Sequence, residues 1–141
     1  MSKQQMLART GSIPLSRTAN LKNYRLAFRK ELHGSGVYAT IVPANGDSVR
    51  GVAYFCNSHV MNQLDLFEGV AQNCYRRELL QVTIASGATI DCVTYIGESF
   101  ANEDDAPSNE YLNRIISGAT EHQLPASYIE SIARLAYRSE R

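Results

Sequence analysis

The sequence has no tryptophan, and its 141 residues include only three cysteines and four prolines. No apolar run approaches the roughly 20 residues that a membrane-spanning helix needs, and the N-terminus lacks the apolar region of a signal peptide. Fourteen basic and fourteen acidic residues cancel, so no excess charge favours nucleic acid or an anionic membrane as a partner. These absences exclude membrane and nucleic-acid partners from the prediction.

The cysteines and histidines are too scattered to predict a metal site. Cys56, Cys74 and Cys92 are odd in number, far apart, and each lies in or beside an apolar strand-like run. Neither they nor the three histidines form a CxxC or HxxxH pattern, so we predict no bound metal and no cofactor. We interpret the cysteines as structural thiols of a cytoplasmic protein; no neighbouring histidine pattern supports the alternative of a nucleophilic cysteine.

Five segments have the alternating or β-branched pattern of strands: 24–28, 37–42, 49–55, 75–84 and 89–96. Asn45-Gly46-Asp47 predicts a hairpin turn, because asparagine and glycine tolerate positive φ. Gly51 predicts a bulge or a close approach of another backbone. Residues 11–20 are predicted to be a polar connection and 98–106 a flexible acidic loop. The loop carboxylates fit a solvated charge run better than a calcium loop.

Capping signals delimit the predicted helices. Ser2 and Gln5 form a capping box for a helix that runs to about Arg9. Ser108 caps a helix that reaches His122, and Pro125 opens the last helix. With 44% hydrophobic residues and one chain of this length, the pattern predicts a single α+β domain, a small curled sheet or barrel with helices packed around it.

A central helix is predicted to begin at Asn57 or Ser58 and to stop at Gly69. Its apolar residues recur at helical spacing: Val60, Met61, Leu64 and Phe67. Glu68 lies in its last turn, where the negative helix end and an apolar wall would raise the carboxyl pKa toward that of a general base. The alternative is a solvated residue at a frayed helix end, and position alone favours that alternative.

Several motifs in order resemble those of the gamma-glutamylcyclotransferases. The central helix ends in Leu-Asp-x-x-Glu-Gly-Val, at residues 64–70, and Tyr75 follows it. Upstream are Ala-Thr-Ile at 39–41 and a Gly-Asp-x-Val-x-Gly-Val-x-Tyr stretch at 46–54. Downstream are Pro-Ser-x-x-Tyr at 107–111, Gly-Ala at 118–119 and Leu-Pro-x-x-Tyr at 124–128. The match spans nearly the whole chain.

The resemblance implies a small mixed β-barrel surrounded by helices, and an enzyme that works without a cofactor. In that reaction the α-amine of a γ-glutamyl group attacks its own γ-carbonyl, giving 5-oxoproline and a free amine or amino acid. Glu68 would be the catalytic acid/base, Tyr75 and Tyr111 would bind the small-molecule γ-glutamyl substrate, and Asp65 would be structural, bonded to backbone near the helix. The leaving group stays open: an amino acid, the ε-amine of lysine, the cysteinylglycine of glutathione, or the amine of a γ-glutamyl-tagged antibiotic intermediate.

One departure from the family concerns the start of the chain. Family members begin with a strand that leads into Tyr-Gly-Ser-Asn, whose backbone N–H groups cradle the glutamyl carboxylate and the reacting carbonyl. The residues after Met1 match those that follow this loop, so the domain 1–141 is expected to lack the strand and the loop. Missing oxyanion donors typically cost about 2.7–4 kcal/mol each, and a bare sheet edge would favour a homodimer.

Two other functions are compatible with the residues. A non-catalytic protein that binds γ-glutamyl ligands or another partner would keep the fold without the loop. A glycosidase-like pair of Asp65 and Glu68 is disfavoured, because its two carboxylates must face each other across a sugar.

Overall fold

A computed structural model describes residues 2–138 of the chain. Its helices are α1 (Lys3–Thr10), α2 (Ser58–Phe67), α3 (Asn109–Glu121) and α4 (Ala126–Arg138). Its strands are β1 (Ser16–Glu31), β2 (Val37–Tyr54), β3 (Tyr75–Ile84), β4 (Thr89–Gly97) and β5 (Phe100–Asp104). A short 3₁₀ turn, Val70–Gln72, joins α2 to β3. None of the helices described is long and apolar enough to cross a membrane.

The strands form one sheet in the order β2-β1-β3-β4, and β5 pairs with β1. Every pairing is antiparallel. The sheet is not closed over the described residues, although β2 and β4 approach each other where the Gly97 N–H donates to Thr40 Oγ1 at 2.9 Å. The predicted α+β class is confirmed, whereas the sheet is open and antiparallel instead of a closed mixed barrel.

The predicted hairpin at Asn45-Gly46-Asp47 is wrong. These residues lie inside β2, which pairs with β1 on both sides of them, and they form a bulge where the register shifts from Tyr24 opposite Pro43 to Lys22 opposite Ser48. Gly46 does adopt a positive φ of 88°, and its N–H donates to Asn23 Oδ1 at 3.2 Å. The same conformational freedom that permits a hairpin turn is therefore used for a bulge. Gly51, in contrast, pairs in regular register with nothing near its missing Cβ.

Two segments predicted to be irregular are strands. β1 already begins at Ser16, inside the predicted polar connection. The acidic segment contains β5, where Asp104 Oδ2 lies 3.1 Å from Arg25 Nη1 and Asp104 Oδ1 lies 3.4 Å from Arg29 Nε. The Asp104 carboxylate thus pairs with arginines of the neighbouring strand β1. The described residues contain no group of three or more potential metal ligands.

The helices are capped as predicted. Ser2 Oγ accepts from Gln5 N at 3.1 Å, Asn57 Oδ1 from Val60 N at 2.9 Å, and Ser108 Oγ from Tyr111 N at 3.1 Å. Each bond satisfies an N–H that has no partner within its helix.

Two clusters of buried side chains stand out in the core of the described residues. One packs α3 and α4 on the sheet, with Phe28, Leu112, Ile132 and Ala136. The other packs α1 on α2, with Met6, Val60 and Leu64. The second cluster fixes the C-terminal ends of α1 and α2 beside each other, and both ends border the cavity described next.

Candidate active site

The described residues surround a cavity of about 590 Å³ between the sheet, the end of α2, and helices α1, α3 and α4. Its lining contains all three predicted site residues: Glu68 from the end of α2, Tyr75 from the start of β3, and Tyr111 from α3. The volume suits a small ligand such as a dipeptide derivative. The fold therefore brings together residues that the sequence keeps far apart.

Glu68 lies at the point where α2 stops. Its backbone N–H still bonds to Leu64 O, and Gly69 turns the chain with a φ of 62°. The Glu68 side chain is 19% exposed. Burial raises the pKa of its carboxyl, and the Arg9 guanidinium, with Nη1 3.7 Å from Oε1, opposes that rise without cancelling it. The direction agrees with the interpretation of Glu68 as a buried helix-end carboxylate, and not with the solvated alternative that position alone favours.

The two tyrosine hydroxyls meet at one residue of the free edge of β2. Tyr75 Oη donates to Ala39 O at 2.7 Å, and Ala39 N donates to Tyr111 Oη at 3.1 Å. Burial raises the pKa of both tyrosines, so both hydroxyls keep their protons at neutral pH. The Tyr75 hydroxyl already donates its proton to the Ala39 carbonyl. The Tyr111 hydroxyl only accepts a hydrogen bond, from Ala39 N, and donates none to the described residues. Tyr111 is thus able to donate a hydrogen bond into the cavity.

The rings of these tyrosines are fixed by aromatic neighbours. Tyr75 packs edge-to-face on Phe100, with centroids 5.2 Å apart, and Tyr111 on Tyr38, with centroids 5.3 Å apart. Such contacts restrict where the hydroxyls can lie.

The charged residues of the lining that sequence reasoning missed include Arg9 and Glu31. Arg9, from the end of α1, contacts Glu68. Glu31, from the end of β1, accepts a hydrogen bond from Cys74 Sγ at 3.5 Å and makes no ion pair with another described residue. Neither residue belongs to a local motif, so no sequence signal could have placed it here.

The cysteines behave as the sequence interpretation predicts. All three are free, and burial raises the pKa of each thiol; for Cys74 the neighbouring Glu31 adds to the effect. A raised pKa keeps the thiol protonated, which disfavours a nucleophilic role.

A partly buried polar pair lies beside the cavity, which His122 lines. Tyr54 Oη lies 2.9 Å from His122 Nε2, and the two rings pack edge-to-face. Burial, assisted by Glu121, raises the pKa of Tyr54 to about 12. The sequence showed His122 only as one of three scattered histidines.

Asp65 does not line the cavity. Its carboxylate accepts from Arg77 Nε at 2.8 Å and Nη2 at 2.6 Å, and from Tyr95 Oη at 2.6 Å. The structural role matches the prediction, but the partners are side chains of β3 and β4 instead of backbone near the helix. Partial burial of Asp65 would raise its pKa, but the bonds from Arg77 and Tyr95 outweigh burial and lower it.

The fold and this cavity define the class of protein. A solved structure named gamma-glutamyl cyclotransferase matches 94% of this chain and 80% of its own, with a TM-score of 0.85 and 29% identity. YkqA from Bacillus subtilis matches 86% of this chain and 44% of its own, with a TM-score of 0.76 and 26% identity. The chain therefore has the gamma-glutamylcyclotransferase-like fold.

Sequence comparisons identify the family. The profile of the AIG2-like family matches residues 48–132, and the chain belongs to this family. The gamma-glutamylcyclotransferases of Homo sapiens and Mus musculus are 32% and 31% identical to it over 119 residues. These alignments cover 81% of this chain and 62% of the relatives, so the chain spans about three fifths of their length.

Proposed function

We propose that the protein is a gamma-glutamylcyclotransferase, which cyclises a γ-glutamyl amine or dipeptide to 5-oxoproline and releases the amine or amino acid. The observation that carries this proposal is the position of Glu68, a mostly buried carboxylate in one cavity with Tyr75 and Tyr111. The names of the human and mouse relatives support the same reaction class.

The reaction asks for positioning and one proton shuttle. The substrate α-amine forms a bond to the γ-carbonyl carbon, and the bond from that carbon to the leaving nitrogen breaks. Because both reacting groups belong to one molecule, a cavity that folds the glutamyl chain brings them into reacting distance. The α-ammonium must lose one proton and the leaving nitrogen must gain one, so a single carboxylate can carry it between them.

Each of the three residues has a part in this scheme. Glu68 takes the ammonium proton and returns it to the leaving group; its raised pKa makes the carboxylate a better base than an exposed glutamate. Tyr111 donates its unused proton to the carbonyl oxygen as negative charge develops there. Tyr75 holds the β2 edge and forms a wall of the glutamyl site.

The test is release of 5-oxoproline from γ-glutamyl-alanine, measured by chromatography. Glu68→Gln keeps the shape and removes the base, so we expect kcat/KM to fall about 10²- to 10⁴-fold. Glu78→Gln is the matched control, since Glu78 is a carboxylate paired with Arg76 and outside the cavity lining.

Unchanged activity in Glu68→Gln would refute the role of Glu68. A folded wild-type protein that releases no 5-oxoproline from γ-glutamyl-alanine, ε-(γ-glutamyl)-lysine or glutathione would refute the reaction and favour a ligand-binding role.

A further inference from the structure

Arg9 is held at the edge of the cavity by the packing of α1 on α2. Met6, 1% exposed, packs on Val60 and Leu64, and Thr10 Oγ1 bonds to Met6 O at 2.8 Å. Arg9 lies between these two anchored residues, on the turn of α1 that faces the end of α2. Its position is therefore a property of the fold and not of a free surface side chain.

The Arg9 guanidinium contacts the last two residues of the central motif. Its Cζ lies 5.2 Å from the centre of the Phe67 ring, and its Nη1 lies 3.7 Å from Glu68 Oε1. A separation of 3.7 Å is an ion pair without a close hydrogen bond. Arginine has five N–H donors, and the described residues accept no hydrogen bond from them, so the guanidinium keeps its donors for another acceptor.

The other cations of the lining are placed differently. Arg114 is 61% exposed and bonds to Glu110 at 2.8 Å, and Arg50 lies on an exposed stretch of β2. The remaining ionisable groups of the lining are the carboxylate of Glu31, the thiol of Cys74, four tyrosine hydroxyls and the imidazole of His122, whose Nε2 lies 2.9 Å from Tyr54 Oη; the tyrosines are Tyr38, Tyr75, Tyr111 and Tyr128. Arg9 is thus the cation that the fold sets directly against Glu68.

The paired charges of Arg9 and Glu68 complement a free γ-glutamyl head group. That group carries an ammonium and a carboxylate on the same carbon. When its ammonium reaches Glu68, its carboxylate must lie within a few ångströms, which is where the guanidinium lies. Planar guanidinium and carboxylate groups also bond in a bidentate geometry.

We propose that Arg9 binds the α-carboxylate of the γ-glutamyl group and, in turning from Glu68 to that carboxylate, frees Glu68 to take the proton of the adjacent ammonium. The inference rests on the proposed function and adds a substrate-binding residue to it. It also makes the substrate class specific: the α-carboxylate must be free. In the unliganded protein Arg9 holds down the pKa of Glu68, and the substrate carboxylate relieves that effect.

A binding experiment tests the proposal without turnover. Glutaryl-alanine keeps the carboxylate of the γ-glutamyl group but has no amine and cannot cyclise; butanoyl-alanine lacks both. By calorimetry we expect the wild-type protein to prefer glutaryl-alanine about 10- to 100-fold. We expect Arg9→Gln to remove the preference, Arg9→Lys to retain part of it, and Arg17→Gln, which removes a cation outside the cavity, to retain it fully. A preference that survives in Arg9→Gln overturns the proposal.

A turnover experiment separates this proposal from the reaction itself. 4-Aminobutanoyl-alanine has the attacking amine but no α-carboxylate, and it cyclises to pyrrolidin-2-one. We expect wild-type kcat/KM to favour γ-glutamyl-alanine about 10- to 100-fold over this analogue, and Arg9→Gln to lose most of that discrimination. The acidic limb of the kcat/KM profile moves to higher pH in Arg9→Gln, since the cation that lowers the pKa of Glu68 is gone.

The outcomes distinguish the two proposals. Loss of the binding preference in Arg9→Gln, with no 5-oxoproline from the wild-type protein, leaves the carboxylate site standing and overturns the reaction. Release of 5-oxoproline with equal discrimination in both proteins overturns the role of Arg9 and leaves the reaction standing.

Discussion

Asp65 connects the end of α2 to the sheet, and its removal has an effect that the structure allows us to estimate. In Asp65→Ala, the ion pair with Arg77 is lost; because the Arg77 side chain is 40% exposed, that loss costs about 0–1 kcal/mol. The partly buried Tyr95 hydroxyl loses its acceptor, which costs about 1–3 kcal/mol. We therefore expect a loss of about 1–4 kcal/mol in unfolding free energy and a Tm lower by about 3–14 °C.

Urea unfolding of Asp65→Ala, Tyr95→Phe and the double variant measures this directly. Since Tyr95→Phe removes the hydroxyl, it should abolish most of the penalty that Asp65→Ala incurs, with a coupling of about 1 kcal/mol or more. If the effects of the two substitutions are additive, or if Asp65→Ala loses less than about 0.5 kcal/mol of unfolding free energy, Asp65 does not stabilise the contact between α2 and the sheet. Asp65 also fixes the turn of α2 that carries Glu68. We therefore expect Asp65→Ala to lower kcat for 5-oxoproline release even at temperatures where the variant is fully folded.

The pH dependence of the stability difference between the wild-type protein and Asp65→Ala follows from the direction in which the Asp65 pKa is shifted. Bonds from Arg77 and Tyr95 lower the pKa in the folded protein. Such a group contributes its full stabilisation above its unfolded pKa, about 3.9, and loses it as the pH falls through the lower folded value. The stability difference between the wild-type protein and Asp65→Ala should stay constant from pH 7 to pH 5 and narrow below about pH 4.

Gly69 and Glu68 give two further predictions. Gly69→Ala should cost about 1–2 kcal/mol for its positive φ and more for crowding, because a Cβ would lie 3.1 Å from Cys74 Sγ; Gly11→Ala, with a φ of 75° and open space, should show the φ cost alone. Equal losses in urea unfolding would contradict the steric part. Burial raises the pKa of Glu68 in the folded protein, so the contribution of Glu68 to stability falls as the pH rises above its unfolded pKa of about 4.3. Glu68→Gln should therefore be more stable than the wild-type protein at pH 7 but not at pH 4. A loss at pH 7 alone would mean that the Arg9 ion pair outweighs burial.

Local features of the fold were predictable because they depend on residues three or four positions apart. The caps at Ser2, Asn57 and Ser108 and the stop at Gly69 are of this kind. The strand status of residues 100–104 was not, since it depends on the pairing of β5 with β1 and on ion pairs with arginines far away in sequence. The bulge in β2 was missed for the same reason: its partner strand decides whether Asn-Gly turns the chain.

Some residues of the candidate site were likewise predictable from the sequence, whereas others are found only in the structure. The sequence pattern alone predicted that Glu68 lies at a helix end. The prediction that Tyr75 and Tyr111 belong to the site came from the family resemblance. Arg9 and Glu31 lie at the ends of α1 and β1, and only the packing of those elements brings them to the cavity. A single sequence carries no signal for such long-range convergence, so only the structure shows that Arg9 lies beside Glu68.

The spacing of the motif that ends α2 has a geometric reason. Asp65 lies one helical turn before Glu68, yet the two carboxylates serve opposite sides: Asp65 bonds to β3 and β4, and Glu68 lines the cavity. They can separate because residues three apart on a helix are offset by about 60° around its axis, and Glu68 is the last residue before Gly69 turns the chain with a left-handed φ. Asp65 therefore fixes the last turn to the sheet, Gly69 ends it, and Glu68 is held between the two. One inserted residue would rotate Glu68 by about 100° relative to Asp65, so the Glu68 carboxylate would leave the cavity while Asp65 stayed bonded to the sheet.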